Sequence, residues 1–459
     1  MKTELRQKFD LLIKNGEIVT ADDRYMADIA VLDGKIAQIG FNLGEAERTI
    51  DAKGKLVIPG ALDVHTHLAM PFGGTISSDD YEAGTRAAAC GGTTTVFDFA
   101  IQKKGYSLLD TVKERLAMCE PQAVVDYAFH IAITDLTEDV LKEFETVSKM
   151  GFVSFKVFMV YKGLMVDDAT FVRVLERSKE TNTLISVHAE NPALIDQRVE
   201  KYISEGKTSA WWHYMSRPEF VEAEADKRAI HWANSVDAPL YIVHLANEEG
   251  VYEVAKAKAD GRPIYAETCP QYLKFNADVY KREDGRNFVC SPPIKGQASQ
   301  DALWDGIRNG TINVLATDHC PFLSTEKDWG KDDFRKIPNG LMGVENMYPY
   351  ILSEANQGRI TMNKAIEICS KNPAAIFGCD KKGNLLPGYD ADIVIYDPSK
   401  EFTITQEKMH SNVDHTIWEG TTLQGYPVVT ISRGNIVYEN EKFLGKAGEG
   451  KLVKRVLNR

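Results

Sequence analysis

The sequence lacks three features that would place it in large classes of protein. It has no run of about 18 apolar residues, the length that a helix needs to cross a bilayer. Its seven cysteines, an odd number over 459 residues with no CxxC pair, do not describe a disulfide framework. No GxGxxG follows an apolar run, so the fingerprint of a dinucleotide-binding fold is missing. Membrane-spanning, disulfide-stabilised and dinucleotide-binding proteins are therefore disfavoured.

Excess positive charge is also missing. The formal net charge is −12, which disfavours binding to nucleic acid or to an anionic membrane. Residues Met1 to Asp10 alternate charged with apolar side chains and lack the apolar stretch of a secretory signal. A composition of 44% hydrophobic and 26% charged residues is typical of a globular protein with a large core. We expect a soluble cytoplasmic enzyme with reduced thiols.

The two ends of the chain are rich in predicted β-strands. Near the start, "DLLIKNGEIVT" and "DIAVLDGKIAQIG" alternate apolar with polar residues and are broken at Asn15-Gly16 and Asp33-Gly34, dipeptides typical of hairpin turns. Near the end, "ADIVIYDP" and "PVVTISRGNIVYENEKF" show a similar pattern of strand-like segments and turns. Neither end can bury a good core alone, so we expect residues 1–57 and 386–459 to form one small β-sandwich.

The middle of the chain repeats an apolar strand, a loop and a helical stretch. The predicted strands are Leu62–Leu68, Thr94–Ala100, Val124–Ile131, Val153–Met159, Leu184–Ala189, Leu240–Leu245, Pro263–Glu267 and Ile312–Thr317. Eight strands that alternate with helices favour an α/β protein with a TIM-like (β/α)8 barrel over residues 58–385. A doubly wound open sheet is the rival architecture.

Side chains that can bind a metal recur where these strands end, and barrels of this type place functional residues there. His65 and His67 stand at i and i+2, which puts both imidazoles on one face of an extended segment. His188 ends the fifth predicted strand, His244 the sixth and Asp318 the eighth. Each of them alone could be a core histidine or a helix-capping aspartate. Together they favour a metal centre.

Lys156 interrupts the fourth predicted strand, "SFKVFM". An ammonium in an apolar strand is costly without a partner, so we include it in the predicted centre. The other histidines and one nearby cysteine are predicted to pack or to lie at the surface: His130, His213, His231, His319, His410, His415 and Cys320.

Many segments in the same order and near the same spacing resemble one enzyme family. They are "PGALDVHTHL", "AAACGGTTTVFDF", "SFKVFMVYK", "VHAEN", "YIVHLAN", "ETCPQYL", "SPPI", "TDHCPF" and "IPNGLMGVEN". The chain resembles the cyclic amidohydrolases of the dihydropyrimidinase and D-hydantoinase type over essentially its whole length. Such enzymes open a cyclic ureide, a dihydropyrimidine or a hydantoin, to an N-carbamoyl amino acid.

The resemblance implies two Zn²⁺ per subunit, with a defined ligand set. One ion would be held by His65, His67 and Asp318, and the other by His188 and His244. Lys156 would be N-carboxylated and, together with a hydroxide, would bridge both ions. A carbamate is an anionic oxygen ligand, whereas a free ammonium beside two dications would be repelled.

The resemblance also implies roles in the reaction. The hydroxide would attack a ring carbonyl, and Asp318 would pass its proton to the departing ring nitrogen. Tyr161 would stabilise the oxyanion. Backbone groups of Ser291 and Asn339 would hold the imide edge of the ring.

By analogy with hydantoinases, the ring substituent is expected to lie against apolar and aromatic residues that follow His67 and Lys156. They are Leu68, Met70, Phe72, Phe158, Tyr161 and Met165. Such a lining favours neutral rings, because it would leave a carboxylate desolvated and unpaired.

Dihydroorotase, allantoinase and a non-catalytic dihydropyrimidinase-related scaffold protein share the same superfamily and stay open as functions. Dihydroorotases place an arginine two residues after the second histidine, and here Ala69 occupies that position. A scaffold protein would have lost metal ligands, whereas all six ligand positions are intact here. Relatives are often homotetramers, and "FLGKAGEGKLVKRVLNR" at the end of the chain is predicted to be an arm for a neighbouring subunit.

Overall fold

The structure, a computed structural model, describes residues 8–458; predictions that concern residues 1–7 or Arg459 lie outside the described residues. The chain begins with a series of short strands. They are β1 (Phe9–Lys14), β2 (Glu17–Val19), β3 (Arg24–Met26), β4 (Asp28–Leu32), β5 (Lys35–Gly40), β6 (Ala46–Asp51) and β7 (Leu56–Pro59). Asn15 and Asp33 adopt the positive φ angles expected of the turns that contain them.

Eight parallel strands follow and form the barrel, interrupted by one hairpin. The barrel strands are β8 (Ala61–Asp63), β11 (Thr93–Ile101), β12 (Asp126–Ala132), β13 (Ser154–Phe158), β14 (Leu184–His188), β15 (Leu240–Ile242), β16 (Ile264–Thr268) and β17 (Val314–Leu315); the hairpin is β9 (Pro71–Phe72) and β10 (Thr75–Ile76). The first and last barrel strands are joined by a parallel bridge between Thr66 and His319. The predicted barrel is therefore confirmed.

Helices cover the outside of the barrel and the loops at its carboxyl end. They are α1 (Tyr81–Cys90), α2 (Leu108–Cys119), α3 (Glu138–Lys149), α4 (Asp168–Glu180), α5 (Pro192–Ser204), α6 (Ala210–Ser216), α7 (Glu219–Val236), α8 (Glu248–Ala259), α9 (Pro270–Lys274), α10 (Gln297–Asn309), α11 (Ser324–Lys327), α12 (Met347–Asn356), α13 (Met362–Ile366) and α14 (Asn372–Phe377). Several begin at a side-chain cap, such as Ser107 before α2 and Thr137 before α3, which satisfies an otherwise free backbone donor. Within residues 8–458, no helix combines the length and the apolar character needed to cross a membrane.

Strands from both chain ends share one sheet, as predicted. The C-terminal strands are β18 (Ile393–Thr403), β19 (Thr422–Ser432), β20 (Asn435–Glu439) and β21 (Lys442–Phe443). β18 pairs antiparallel with β7 in a seven-stranded sheet, which packs on a four-stranded sheet of β1, β4, β5 and β6. Ile13 and Ile29 of the smaller sheet meet Val57 and Ile395 of the larger one in a common core. The domain limits, 1–57, 58–385 and 386–459, stay a prediction.

The end of the chain packs against its own barrel, and its predicted role as an arm for a neighbouring subunit stays a prediction. Val453 donates from its backbone N–H to the carbonyl of Tyr127 on β12, at 2.8 Å. Arg455 is fully buried, and its guanidinium donates to Ser154 Oγ at 2.8 Å. The reason is that the amino-terminal end of the barrel offers apolar side chains and free backbone acceptors within reach of residues 450–458.

Candidate active site

The six predicted metal-binding residues meet in one cleft at the carboxyl end of the barrel strands. The cleft is lined by His65, His67, Met70, Phe72, Lys156, Phe158, Tyr161, Leu164, His188, His244, Ser291, Asp318, Cys320, Asn339 and Gly340. The strands end earlier than predicted, at Asp63 and Ile242, so that His65, His67 and His244 lie on the segments just beyond them.

His65, His67 and Asp318 form the first group of converging side chains. Asp318 Oδ1 lies 3.1 Å from His65 Nε2 and 3.0 Å from His67 Nε2. His65 Nε2 and His67 Nδ1 are buried without a well-directed hydrogen bond among the described residues. Burial by itself raises the pKa of the Asp318 carboxyl. The two histidines outweigh this effect and hold that pKa well below its usual range.

Glu267 fixes the orientation of His65. Its Oε1 accepts a hydrogen bond from His65 Nδ1, while its Oε2 accepts one from the hydroxyl of Tyr241 at 2.7 Å. Because the carboxylate accepts, Nδ1 of His65 carries a proton, and Nε2 is the ring nitrogen that faces Asp318 and the cleft. This arrangement is the one by which carboxylates orient metal-binding histidines.

His188 and His244 form the second group. Nδ1 of His188 lies 2.8 Å from Nε2 of His244. Nε2 of His188 donates to Glu190 at 2.8 Å, so its Nδ1 presents a lone pair to the cleft. Glu190 is buried in turn against Arg217, at 2.6 Å, and this guanidinium lowers the pKa of Glu190 against the effect of burial.

Lys156 lies between the two groups with little to compensate its charge. It is almost fully buried, and its Nζ lies 4.8 Å and 5.2 Å from the ring centroids of Phe99 and Phe158. Within residues 8–458, no carboxylate oxygen lies within 4.0 Å of it. Burial lowers the pKa of Lys156 to about 8.

Strained backbone conformations cluster around the cleft. Ala69, Tyr161, His244 and Asp318 have φ angles of 47°, 78°, 39° and 53°, in the region that disfavours side chains other than glycine. Strain of this kind persists where the surrounding structure holds a functional group in place.

These donors fit a metal site. Four imidazoles, one carboxylate and one buried lysine converge, and the ligand atoms of His65, His67 and Asp318 lie within 4.8 Å of one another. Buried imidazole nitrogens without a hydrogen bond are costly unless a cation binds them. Nitrogen and oxygen donors in such a set suit a divalent ion such as zinc.

Most of the residues predicted to contact substrate line the cleft. Met70, Phe72, Phe158, Tyr161, Ser291 and Asn339 do so. Leu68 does not, because its side chain packs against Gly84 on α1, and Met165 is partly exposed outside the lining. Leu164, Cys320 and Gly340 line the cleft without having been predicted to.

Sequence reasoning missed the carboxylates behind the histidines. Glu190 stands two residues after His188, and Glu267 ends the predicted seventh strand, so a search for acidic residues at strand ends would have found both. Arg217 carries no such signal, since it lies between two helices and reaches the site only through folding.

The remaining histidines mostly have partners outside the cleft. His130 contacts Ser154 Oγ and the carbonyl of Val64, and His319 contacts Asp79. His213 is buried and donates to the carbonyl of Cys290.

Comparisons with known proteins agree with this geometry. The sequence model of the Amidohydrolase family matches residues 56–437. The chain is 42% identical to a D-hydantoinase of Ralstonia pickettii over 97% of this chain and 99% of the relative. It is 43% identical to a D-hydantoinase of Rhizobium radiobacter, with the same coverage. The crystal structure of a dihydropyrimidinase from Brevibacillus agri NCHU1002 superposes with a TM-score of 0.96 at 40% identity, over 98% of this chain and 99% of that one.

Proposed function

The chain belongs to the Amidohydrolase family, and from this premise we propose that it hydrolyses cyclic ureides, hydantoins and 5,6-dihydropyrimidines, to N-carbamoyl amino acids. The single observation that carries the proposal is the convergence of His65, His67, His188, His244, Asp318 and Lys156 in one cleft. The names of the relatives, D-hydantoinase and dihydropyrimidinase, support the same reaction.

Two zinc ions are the proposed cofactors. His65, His67 and Asp318 would hold one, and His188 and His244 the other. When bound, zinc would polarise the scissile carbonyl and make a nucleophile available near neutral pH. Glu267 and Glu190 keep the ligand nitrogens of His65 and His188 free of protons.

Lys156 is proposed to be N-carboxylated and to bridge both ions. The support is geometric, because the side chain lies between the two groups, is buried and has no anionic partner within the described part of the chain. In this step the ammonium would lose a proton, the neutral amine would add to carbon dioxide, and a second proton would be released to solvent. The resulting carbamate is anionic and would supply oxygen ligands for the ions.

Asp318 and Tyr161 are the proposed catalytic residues. Asp318 Oδ1 sits between His65 and His67 at the floor of the cleft, where it can accept a proton and return it to the leaving nitrogen. The ring of Tyr161 lies 5.1 Å from that of His188, which places its side chain beside the same floor. Burial raises the pKa of Tyr161, so its hydroxyl stays protonated and can donate a hydrogen bond to a developing oxyanion.

Main-chain groups of Ser291 and Asn339 are proposed to orient the ring. Asn339 Nδ2 donates to Ser291 Oγ at 2.9 Å, so the two residues face each other across one side of the cleft. Their backbone N–H groups and carbonyl oxygens have no hydrogen-bond partner among residues 8–458, so this side of the cleft offers both donors and acceptors. An imide edge presents both a donor and acceptors and could pair with them.

Dihydroorotate fits this cleft poorly. No arginine is among the residues that line it. Arg115, which lies near Ala69, is already paired with Asp98 at 2.8 Å. A substrate carboxylate would therefore remain unpaired and desolvated.

Purified protein tests the proposal through metal content and through rates on hydantoin, 5-substituted hydantoins, dihydrouracil, dihydroorotate and allantoin. We expect about two zinc ions per chain and turnover of the neutral ureides. His188→Ala should lose metal and activity, whereas His231→Ala, an exposed histidine on α7, should keep both. A preference for dihydroorotate or allantoin over every hydantoin and dihydropyrimidine would contradict the assignment. A cytoplasmic location and a homotetramer stay proposals of the sequence analysis.

A further inference from the structure

Lys327, at the end of α11, is buried beside the substrate cleft without lining it. Its Nζ donates to three carbonyl oxygens, of Val289 at 2.9 Å, Pro338 at 2.8 Å and Gly340 at 2.7 Å. An ammonium has three hydrogens, so all of its donors are satisfied. Its side chain is completely buried, and no carboxylate lies within 4.0 Å of it in the described part of the chain.

The three carbonyls belong to the two segments that carry Ser291 and Asn339. Val289 is two residues before Ser291, while Pro338 and Gly340 flank Asn339 on either side. The segments also meet directly, since Gly340 donates from its N–H to the carbonyl of Val289 at 3.0 Å. Lys327 therefore joins the two sides of the region that we propose holds the ring.

The direction of one carbonyl sets the direction of a free donor. In a trans peptide the C=O and N–H bonds point in opposite directions. The carbonyl of Pro338 points toward Lys327, so the N–H of Asn339, which belongs to the same peptide, points away from it. Asn339 lines the cleft, and this N–H has no acceptor among residues 8–458. The carbonyl oxygens of Ser291 and Asn339 also accept no hydrogen bond within these residues, so they are free to accept the N–H of an imide.

We propose that Lys327 is a positioning residue that holds the backbone groups of Ser291 and Asn339 in register with the imide edge of the substrate. The inference rests on the proposed function. It adds the side chain that positions the backbone groups by which the ring is recognised. Backbone recognition cannot be removed by changing the side chains of Ser291 or Asn339. Lys327 is the side chain through which it can be altered.

The test compares Lys327→Met and Lys327→Gln with a matched control. Lys258 also donates to three oxygens, of Gly310, Thr311 and Asn313, but far from the cleft, so Lys258→Met removes an equivalent set of bonds elsewhere. Zinc content and the unfolding midpoint are measured for every variant. KM and kcat are measured on hydantoin. Calorimetry gives the affinities for succinimide, which has an imide N–H, and for N-methylsuccinimide, which has none, and these do not depend on turnover.

We expect Lys327→Met to keep its zinc and most of kcat while KM for hydantoin rises about 10- to 100-fold, the scale of leaving a buried hydrogen-bonding group unsatisfied. Its preference for succinimide over N-methylsuccinimide should fall. Lys327→Gln keeps an amide that can donate, so it should recover part of the affinity for hydantoin and part of the imide preference. Lys258→Met should leave KM and the imide preference unchanged.

Three results would overturn the proposal. They are an unchanged imide preference in a folded Lys327→Met, an equal loss of affinity for both rings, and failure of both Lys327 variants to fold while Lys258→Met folds. Absence of wild-type turnover on hydantoin and dihydrouracil would instead overturn the proposed function, and the calorimetric comparison would still decide the role of Lys327.

Discussion

At the scale of single residues, the cleft combines groups that bind with groups that orient them. His65 and His188 each donate a hydrogen bond from one ring N–H to a buried carboxylate and present the other ring nitrogen to the cleft. A histidine without such a partner can bind through either nitrogen, which lowers its affinity for an ion at a fixed place. Glu267 and Glu190 are therefore as much a part of the candidate centre as the histidines.

Glu267→Gln is expected to weaken zinc binding about 10- to 100-fold, because an amide oxygen orients His65 less strongly than a carboxylate does. Competition with a chelator of known affinity measures the loss. Glu345→Gln is the control, since Glu345 is also buried and also accepts from a histidine Nδ1, that of His410, outside the cleft. Equal metal affinity in the wild type and Glu267→Gln would show that this hydrogen bond has no orienting role.

Lys156→Ala is expected to lose zinc and hydantoin turnover together, since it removes the proposed bridge between the two ions. Short carboxylic acids added to the variant are expected to restore part of the activity by occupying the space of the missing carbamate. Zinc analysis and rates with and without added acid measure both effects. Full activity of Lys156→Ala in the absence of acid would rule out the bridged centre.

At the scale of elements, loops decide what surrounds the metal-binding residues. The β9–β10 hairpin carries Phe72 over the cleft, where its ring meets that of Tyr161 edge to face with centroids 5.6 Å apart. The second wall comes from the end of β13, with Phe158, and from the segment after it, with Leu164. The two walls are apolar, which favours rings with apolar substituents.

Phe72→Ala is expected to enlarge the cleft and to raise kcat/KM for hydantoins with bulky 5-substituents relative to dihydrouracil. A difference of about 1 to 3 kcal/mol, the scale of one methylene group in a pocket, corresponds to tenfold or more. Rates on 5-phenylhydantoin and dihydrouracil give the ratio. Phe41→Ala, which changes an exposed phenylalanine on the sandwich, is the control. An unchanged ratio would place the substituent elsewhere.

At the scale of the whole molecule, buried charges join the sandwich to the barrel. Lys382 donates to Asp126 on β12 at 2.7 Å and to Asp392, next to β18, at 2.6 Å. Removing one member of a buried ion pair leaves the other charge uncompensated, which is strongly destabilising. The barrel is therefore not independent of the strands at the chain ends.

A fragment of residues 58–385 is expected to be insoluble. It loses Asp392 and strand β18, which pairs with Ile58 and Pro59 of β7, and exposed strand edges promote aggregation. Expression of the fragment beside the full chain, with the soluble fraction and zinc content measured for both, tests this. A soluble and active fragment would show that the sandwich is dispensable.

The sequence by itself determined the barrel and the six residues that meet in its cleft. Apolar strands alternate with helices, and side chains such as Lys156 and His188 interrupt or end those strands, so local patterns reported both the fold and the place of these groups. Tertiary structure alone decided which partners stand behind them. Lys327 meets carbonyls 11 to 38 residues away, and Arg455 reaches Ser154 from the far end of the chain. Leu68 turns away from the cleft for the same reason, which is that a periodic pattern describes the backbone locally, whereas hydrogen bonds and packing join segments that only the closed barrel brings together.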